Sequence, residues 1–136
     1  MSGTEELNHI CANTLVSNLG IEFTDSGEGF IKAKMPVDHR TFQPAGILHG
    51  GASFALAETV GSAGSYLMVD KEKFTVVGMQ MSGNHVSRIS RGWVYAHATL
   101  VHKGSVTHVW DITIADENGR AVSLCRQTNM IIEKEV

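Results

Sequence analysis

The spacing of apolar positions divides this chain into segments of different period. In "TEELNHICANTLVSNLG", from Thr4 to Gly20, Leu7, Ile10 and Cys11 recur at helical spacing, with Thr4 placed to cap and Gly20 to stop, so the run predicts one N-terminal helix. "IEFTDSGEGFIKAKMPV" holds two extended runs around the turn cluster Asp25-Ser26-Gly27-Glu28-Gly29, a hairpin signature. "DHRTFQPAGILHGG" reads as a loop, punctuated by Pro44 and Gly46. From Gly50 to about Leu67 the pattern is helical, and such a helix is about 27 Å long. Four β-rich runs follow: "FTVVGMQMSGNHV", "GWVYAHATLVH", "VTHVWDITIA" and "RAVSLCRQTNMII". The turn Glu117-Asn118-Gly119 makes a hairpin of the last two. One long helix with five or six mainly antiparallel strands predicts an α+β fold, a curved sheet wrapped around a central helix. The 136 residues are one domain's worth, spanning 1–136. Such a sheet has open edges, which favours pairing with a second copy.

The central helix carries an unusual load of small residues. Gly61 and Gly64 each cost roughly 1 kcal/mol against alanine in a helix interior. Their presence predicts close approach, with other elements packed where only small side chains leave room. Between Thr41 and Val69 the only charged residue is Glu58. That acid argues against a membrane span, because it would lie near the bilayer centre at a cost of roughly 2.5–3.5 kcal/mol.

Composition narrows the field further. A hydrophobic content of 43%, a charged content of 18% and a net charge of −3 describe an ordinary globular protein with no general pull on nucleic acid or anionic lipid. Cys11 and Cys125 form neither a C-x-x-C nor a metal-ligand spacing, and the acidic N-terminus has no apolar signal core. A reduced, cytoplasmic setting is therefore expected. His97, His102 and His108 lack ligand spacing, and no phosphate loop or nucleophile elbow is present. No metal and no cofactor are expected.

The chemistry gathers on the central helix. Gly51, Phe54 or Ala55, Glu58 and Ser62 fall on one stripe, so Glu58 and Ser62 project together, one turn apart. Gly50 and Gly51 occupy the helix N-terminus, where free N–H groups and the positive dipole end suit a developing oxyanion. Eight residues separate Gly50 from Glu58, about 12 Å along the axis, so one helix does not easily bring both to the same carbonyl. An antiparallel helix from a second subunit could.

The stretch "HRTFQPAGILHGGASFALAETVGSAGSYL", with "VVG" and "NH" after it and "DENGR" near the end, resembles the hotdog-fold thioesterases. It is most similar to the PaaI-like and 4-hydroxybenzoyl-CoA-thioesterase-like branch, and within it to the 1,4-dihydroxy-2-naphthoyl-CoA thioesterases and the proofreading thioesterases of the enterobactin pathway. The resemblance spans nearly the whole chain. It implies a homotetramer of hotdog dimers, with sites at subunit interfaces that hydrolyse acyl thioesters of CoA or carrier protein. By position, Glu58 would be nucleophile or general base, and the Gly50 N–H would polarise the thioester carbonyl. Gln43 and His49 would bind and orient the thioester, and Ser62 would contact the water or intermediate. His85 would stand near the acyl group, with Gly51, Phe54 and Met81 among the substrate contacts and Met68 and Met79 as further lining. The acyl group would be aromatic, as in menaquinone or siderophore synthesis, or short-to-medium aliphatic.

Two places depart from the resemblance. Ser87 stands where relatives often carry arginine, and "HKGS" replaces their common "H-x-G-R". Arg88, Arg91 and Lys103 are the candidate cations for the CoA phosphates. Two rival readings use the same scaffold: a hydratase or dehydratase, with His85 or His49 as proton shuttle, and a non-catalytic acyl-CoA-binding module.

Overall fold

The computed structural model describes residues 1–135. The first expectation needs correction: the N-terminal segment is two helices, α1 (Gly3–Ile10) and α2 (Leu15–Asn18). Ser2, not Thr4, caps α1 by accepting from the Glu5 N–H, while Thr4 lies inside the helix with its hydroxyl 3.2 Å from that of Ser26. The break has a local cause. Asn13 takes a left-handed conformation (φ 61°), and Thr14 is extended and accepts from the Val16 N–H as a new cap. Short polar side chains of this kind compete with the helix for backbone groups.

The strands follow the sequence reading closely. They are β1 (Glu22–Gly27), β2 (Phe30–Pro36), β3 (Phe74–His85), β4 (Trp93–Lys103), β5 (Thr107–Ala115) and β6 (Ala121–Glu133). The β1–β2 turn is tighter than the five-residue cluster suggests: Gly27 pairs with Phe30, and Gly29 supplies the positive φ of 76°. All six strands form one antiparallel sheet in the order β1-β2-β4-β5-β6-β3. β3 is thus an edge strand of 12 residues with one side unpaired in the protomer.

The long helix α3 (Gly50–Met68) lies across the concave face. Leu56, Ala57 and Val60 are fully buried against Met35, Val94, Ile112 and Ile114. The close approach expected of the glycines is present. A Cβ at Gly64 would lie 2.5 Å from two atoms of the Trp110 indole, and one at Gly61 would collide with the Gln127 amide oxygen. Small residues on α3 let the Trp110 side chain of β5 and the Gln127 side chain of β6 pack directly onto the helix backbone, which fixes its height above the sheet. Among the described residues, no helix is long and apolar enough to cross a membrane.

Candidate active site

The stripe predicted on α3 faces an open groove. Gly51, Phe54, Glu58 and Ser62 line it from the helix and Met81 from β3, in a cavity of about 730 Å³. Its far end runs beneath α1 and α2, where Leu7, Cys11 and Val16 make the wall apolar. Tyr66 closes that end, its hydroxyl 3.2 Å from Glu6 Oε1. Burial, and then the neighbouring Glu6, hold the Tyr66 hydroxyl above its ordinary pKa, so it serves as a neutral donor. Met68 and Met79 do not line this cavity, and Met79 is 53% exposed on the β3 edge.

Glu58 is exposed in the protomer and makes no ion pair among the described residues. Its carboxylate lies beside Gly78, where an added Cβ would stand 3.0 Å from Oε2. The β3–β6 ladder shifts register between Gly78 and Gln80, so the strand bulges next to the acid. Bulges of this kind interrupt pairing and open backbone space beside a site. Ser62, one turn further along, accepts from Gln127 Nε2 at 3.0 Å.

The helix N-terminus belongs to a neighbouring cavity of about 350 Å³, lined by Gly50, Ser53, His85 and Arg88. His85 sits directly over Gly50: a Cβ there would be 2.5 Å from His85 Nε2. Its ring is held by Phe54, at 4.9 Å between centroids, and by Ser123, whose buried hydroxyl is 2.7 Å from Nδ1. His49 is the N-cap of α3, with Nδ1 accepting from the Gly51 N–H at 2.7 Å, so its proton resides on Nε2. It faces a third cavity with Phe42 and Arg40. Removing this cap in His49→Ala is expected to lower stability by about 1 kcal/mol, read from thermal unfolding. Gln43 lines none of the three cavities, and its side chain accepts from the Ala45 N–H in a local turn.

The candidate phosphate-binding cations separate. Arg88 and Arg91 share a polar cavity of about 720 Å³ with Trp93 and Arg120 at one end of the sheet. Arg120 is engaged there, 3.1 Å from Asp116 and 2.8 Å from the Arg88 carbonyl. Lys103 ends β4, whose first residue is Trp93, so it lies roughly 30 Å away in the same chain.

The sequence reading missed Gln127, Asn129 and Ser123, all buried. A signal was there to find. Cys125, Gln127, Asn129 and Ile131 alternate on the inward face of β6, and two amides at core-facing positions need partners. Among the described residues, no cluster of three His, Cys, Asp or Glu side chains could hold a metal.

Comparison with known proteins converges on one family. Residues 45–123 match the model of the thioesterase superfamily. The chain is 43% identical over 128 residues to the proofreading thioesterase EntH of Cronobacter turicensis, covering 94% of this chain and 93% of that one. Thioesterase PA1618 of Pseudomonas aeruginosa, solved as a glutamine-to-alanine mutant, superposes with a TM-score of 0.94 at 40% identity, covering 96% of this chain and 94% of that one. For thioesterase HI1161 of Haemophilus influenzae the TM-score is 0.93 at 44% identity, over 98% and 92% of the two chains.

Proposed function

Since this chain belongs to the thioesterase superfamily and is a thioester hydrolase of the hotdog fold, we propose that it cleaves an acyl-CoA in a site shared by two protomers. The acyl group is aromatic, of the hydroxybenzoyl or dihydroxynaphthoyl kind, or short-to-medium aliphatic. The observation that carries this reading is an exposed Glu58, without an ion pair among the described residues, lining a largely apolar groove. An apolar wall suits the acyl part, and a free carboxylate suits the chemistry at its thioester end.

Glu58 acts as general base on water or as nucleophile. In the first case water's oxygen bonds to the carbonyl carbon as Glu58 takes its proton. The oxyanion is stabilised by the Gly50 N–H, and collapse breaks the C–S bond to release CoA thiolate and the free acid. In the second, Glu58 displaces the thiolate and water then cleaves the mixed anhydride. Gln43 and His49 bind and orient the thioester from the loop preceding α3. His85, packed at a tilt against Phe54 above Gly50, contacts the substrate. Arg88, which lines the cavity at Gly50, and Arg91, which shares the adjoining polar cavity with it, are the side chains suited to the CoA phosphates, and Lys103, at the other end of β4, suits a site formed with another copy. A fourfold assembly, a dimer of dimers, would bring such surfaces together.

The separation of the two groups supports a shared site. Gly50 and Glu58 line different cavities of one protomer. A second copy adding its β3 to the open β3 edge would run its α3 antiparallel beside the first, carrying its Gly50 toward the first protomer's Glu58.

Two measurements test this. Thiol release from a panel of aromatic and aliphatic acyl-CoAs should show turnover, and enoyl product without free thiol would instead indicate a hydratase. Glu58→Ala and Gly50→Pro, the latter deleting the N–H at the first helical position and displacing the His85 ring that sits over Gly50 in the same chain, should each be nearly inactive. Mixed, unfolded and refolded together, they should recover about a quarter of wild-type activity, because half the dimers hold one intact site. No recovery would mean that the acid and the amide act within one chain.

A further inference from the structure

We propose that Gln127 is a positioning residue of the thioester site: held by Asn129, it makes the Ser62 hydroxyl a hydrogen-bond donor into the groove beside Glu58. The inference rests on the reading of Glu58 and Ser62 given above.

The direction of each bond follows from groups that have only one option. The Gly61 carbonyl can only accept, and Asn129 Nδ2 lies 3.0 Å from it. Asn129 therefore turns its Oδ1 the other way, where Gln127 Nε2 donates to it at 2.6 Å. The second N–H of Nε2 goes to Ser62 Oγ at 3.0 Å. Ser62 accepts on its sheet side, so its own proton is left for the groove. Inverting the Gln127 amide would bring two carbonyl oxygens together at the Asn129 contact. The observed orientation instead leaves Gln127 Oε1 buried without a partner among the described residues, packed against Gly61.

The other end of the network is equally constrained. Trp110 Nε1 can only donate, and it does so to Ser65 Oγ at 2.9 Å. Asn129 Nδ2 donates to the same oxygen at 2.9 Å. Ser65 must then give its proton to His108 Nδ1, 2.8 Å away, which leaves His108 neutral. Burial pushes the His108 pKa down, in the same direction. Gln127, Asn129, Ser65 and His108 are all 2% exposed or less, so no water competes for these bonds. The amides of β6 thus reach Ser62 with their polarity already set.

That polarity matters to a hydrolase. A water that accepts from Ser62 has one lone pair occupied, one free to form the O–C bond, and a proton to give to Glu58. In the general-base route that water attacks the thioester carbon directly; in the covalent route Ser62 holds the water that attacks the anhydride, and the water's proton passes to the Glu58 carboxylate as the C–O bond to it breaks. Gly78 leaves the space open: a single point where its Cβ would stand is 3.0 Å from Glu58 Oε2 and 3.2 Å from Gln127 Nε2.

Gln127→Met retains the length of the side chain and removes its N–H. It should lower kcat about tenfold or more, as misplacement of a reacting water does, with KM changed less than about threefold. Ser62→Ala should lose a similar factor, and the double variant should be no worse than Ser62→Ala alone, because Gln127 acts through that hydroxyl. Unchanged kcat in a folded Gln127→Met, or losses that multiply in the double variant, would overturn the proposal. If Gln127→Met does not fold, Gln127→Leu decides by the same readout: kcat should fall about tenfold or more with KM nearly unchanged, and a folded Gln127→Leu at wild-type kcat would overturn the proposal. Failure of the underlying hydrolase reading would look different, since wild type itself would release no thiol.

Discussion

Glu58→Ala is expected to lower kcat for thioester hydrolysis by about 10³-fold or more, the scale lost when an essential base or nucleophile is removed. Its fold should survive. Glu58 makes no ion pair among the described residues and is exposed in the protomer, so its removal orphans no partner charge. Alanine is also the better helix former at this position of α3. The thermal midpoint should therefore stay near that of wild type, because surface substitutions away from special features fall within about 0.5 kcal/mol. Thiol release and circular dichroism on the same samples check both halves. Glu58→Gln, which retains shape and removes charge, should be nearly as slow. Turnover close to wild type in either variant would remove Glu58 from the mechanism.

Gly64→Val should have the largest effect on stability. A Cβ at this position would be 2.5 Å from the Trp110 ring, too close for any real pair. The indole has nowhere to go: it is 1% exposed, sits mid-strand in β5, and is tied through Nε1 to Ser65. Valine should gain almost nothing in helix propensity over glycine when set against the overpacking, which costs about 3 kcal/mol or more at such a site. The midpoint should fall by roughly 10 °C for a domain of this size. Displacing Trp110 would also disturb the Ser65–Asn129 network and, through it, Ser62, so residual activity should fall with stability. A well-folded Gly64→Val would show that helix and sheet can separate without cost.

The parts of this protein that were legible in the sequence are those governed by neighbours in the chain. Strand alternation, the Glu117-Asn118-Gly119 turn and the run from Gly50 were enough to place five of the later elements close to their observed bounds, because period and turn chemistry are local. The N-terminal segment shows the limit of that reasoning. Helical spacing in "TEELNHICANTLVSNLG" is genuine, yet Asn13 and Thr14 break the run, and a broken helix is what lets Leu7 of α1 and Val16 of α2 both wall the groove. Gln127 and Asn129 show it again: their alternation with Cys125 and Ile131 marked them as inward, but nothing in the chain told which hydroxyl they would meet.

By itself the sequence determined that a lone acid and a serine share one face of a glycine-rich helix, since they are four residues, about one turn, apart and helical geometry leaves no other arrangement. Only the tertiary structure decided what surrounds that face. The β3 bulge beside Gly78, the amides that reach Ser62 from β6 and the separation of Gly50 from Glu58 into different cavities depend on segments up to 68 residues apart. Contacts of that kind are set by how the sheet curves over the helix, and no local rule of spacing contains that curvature.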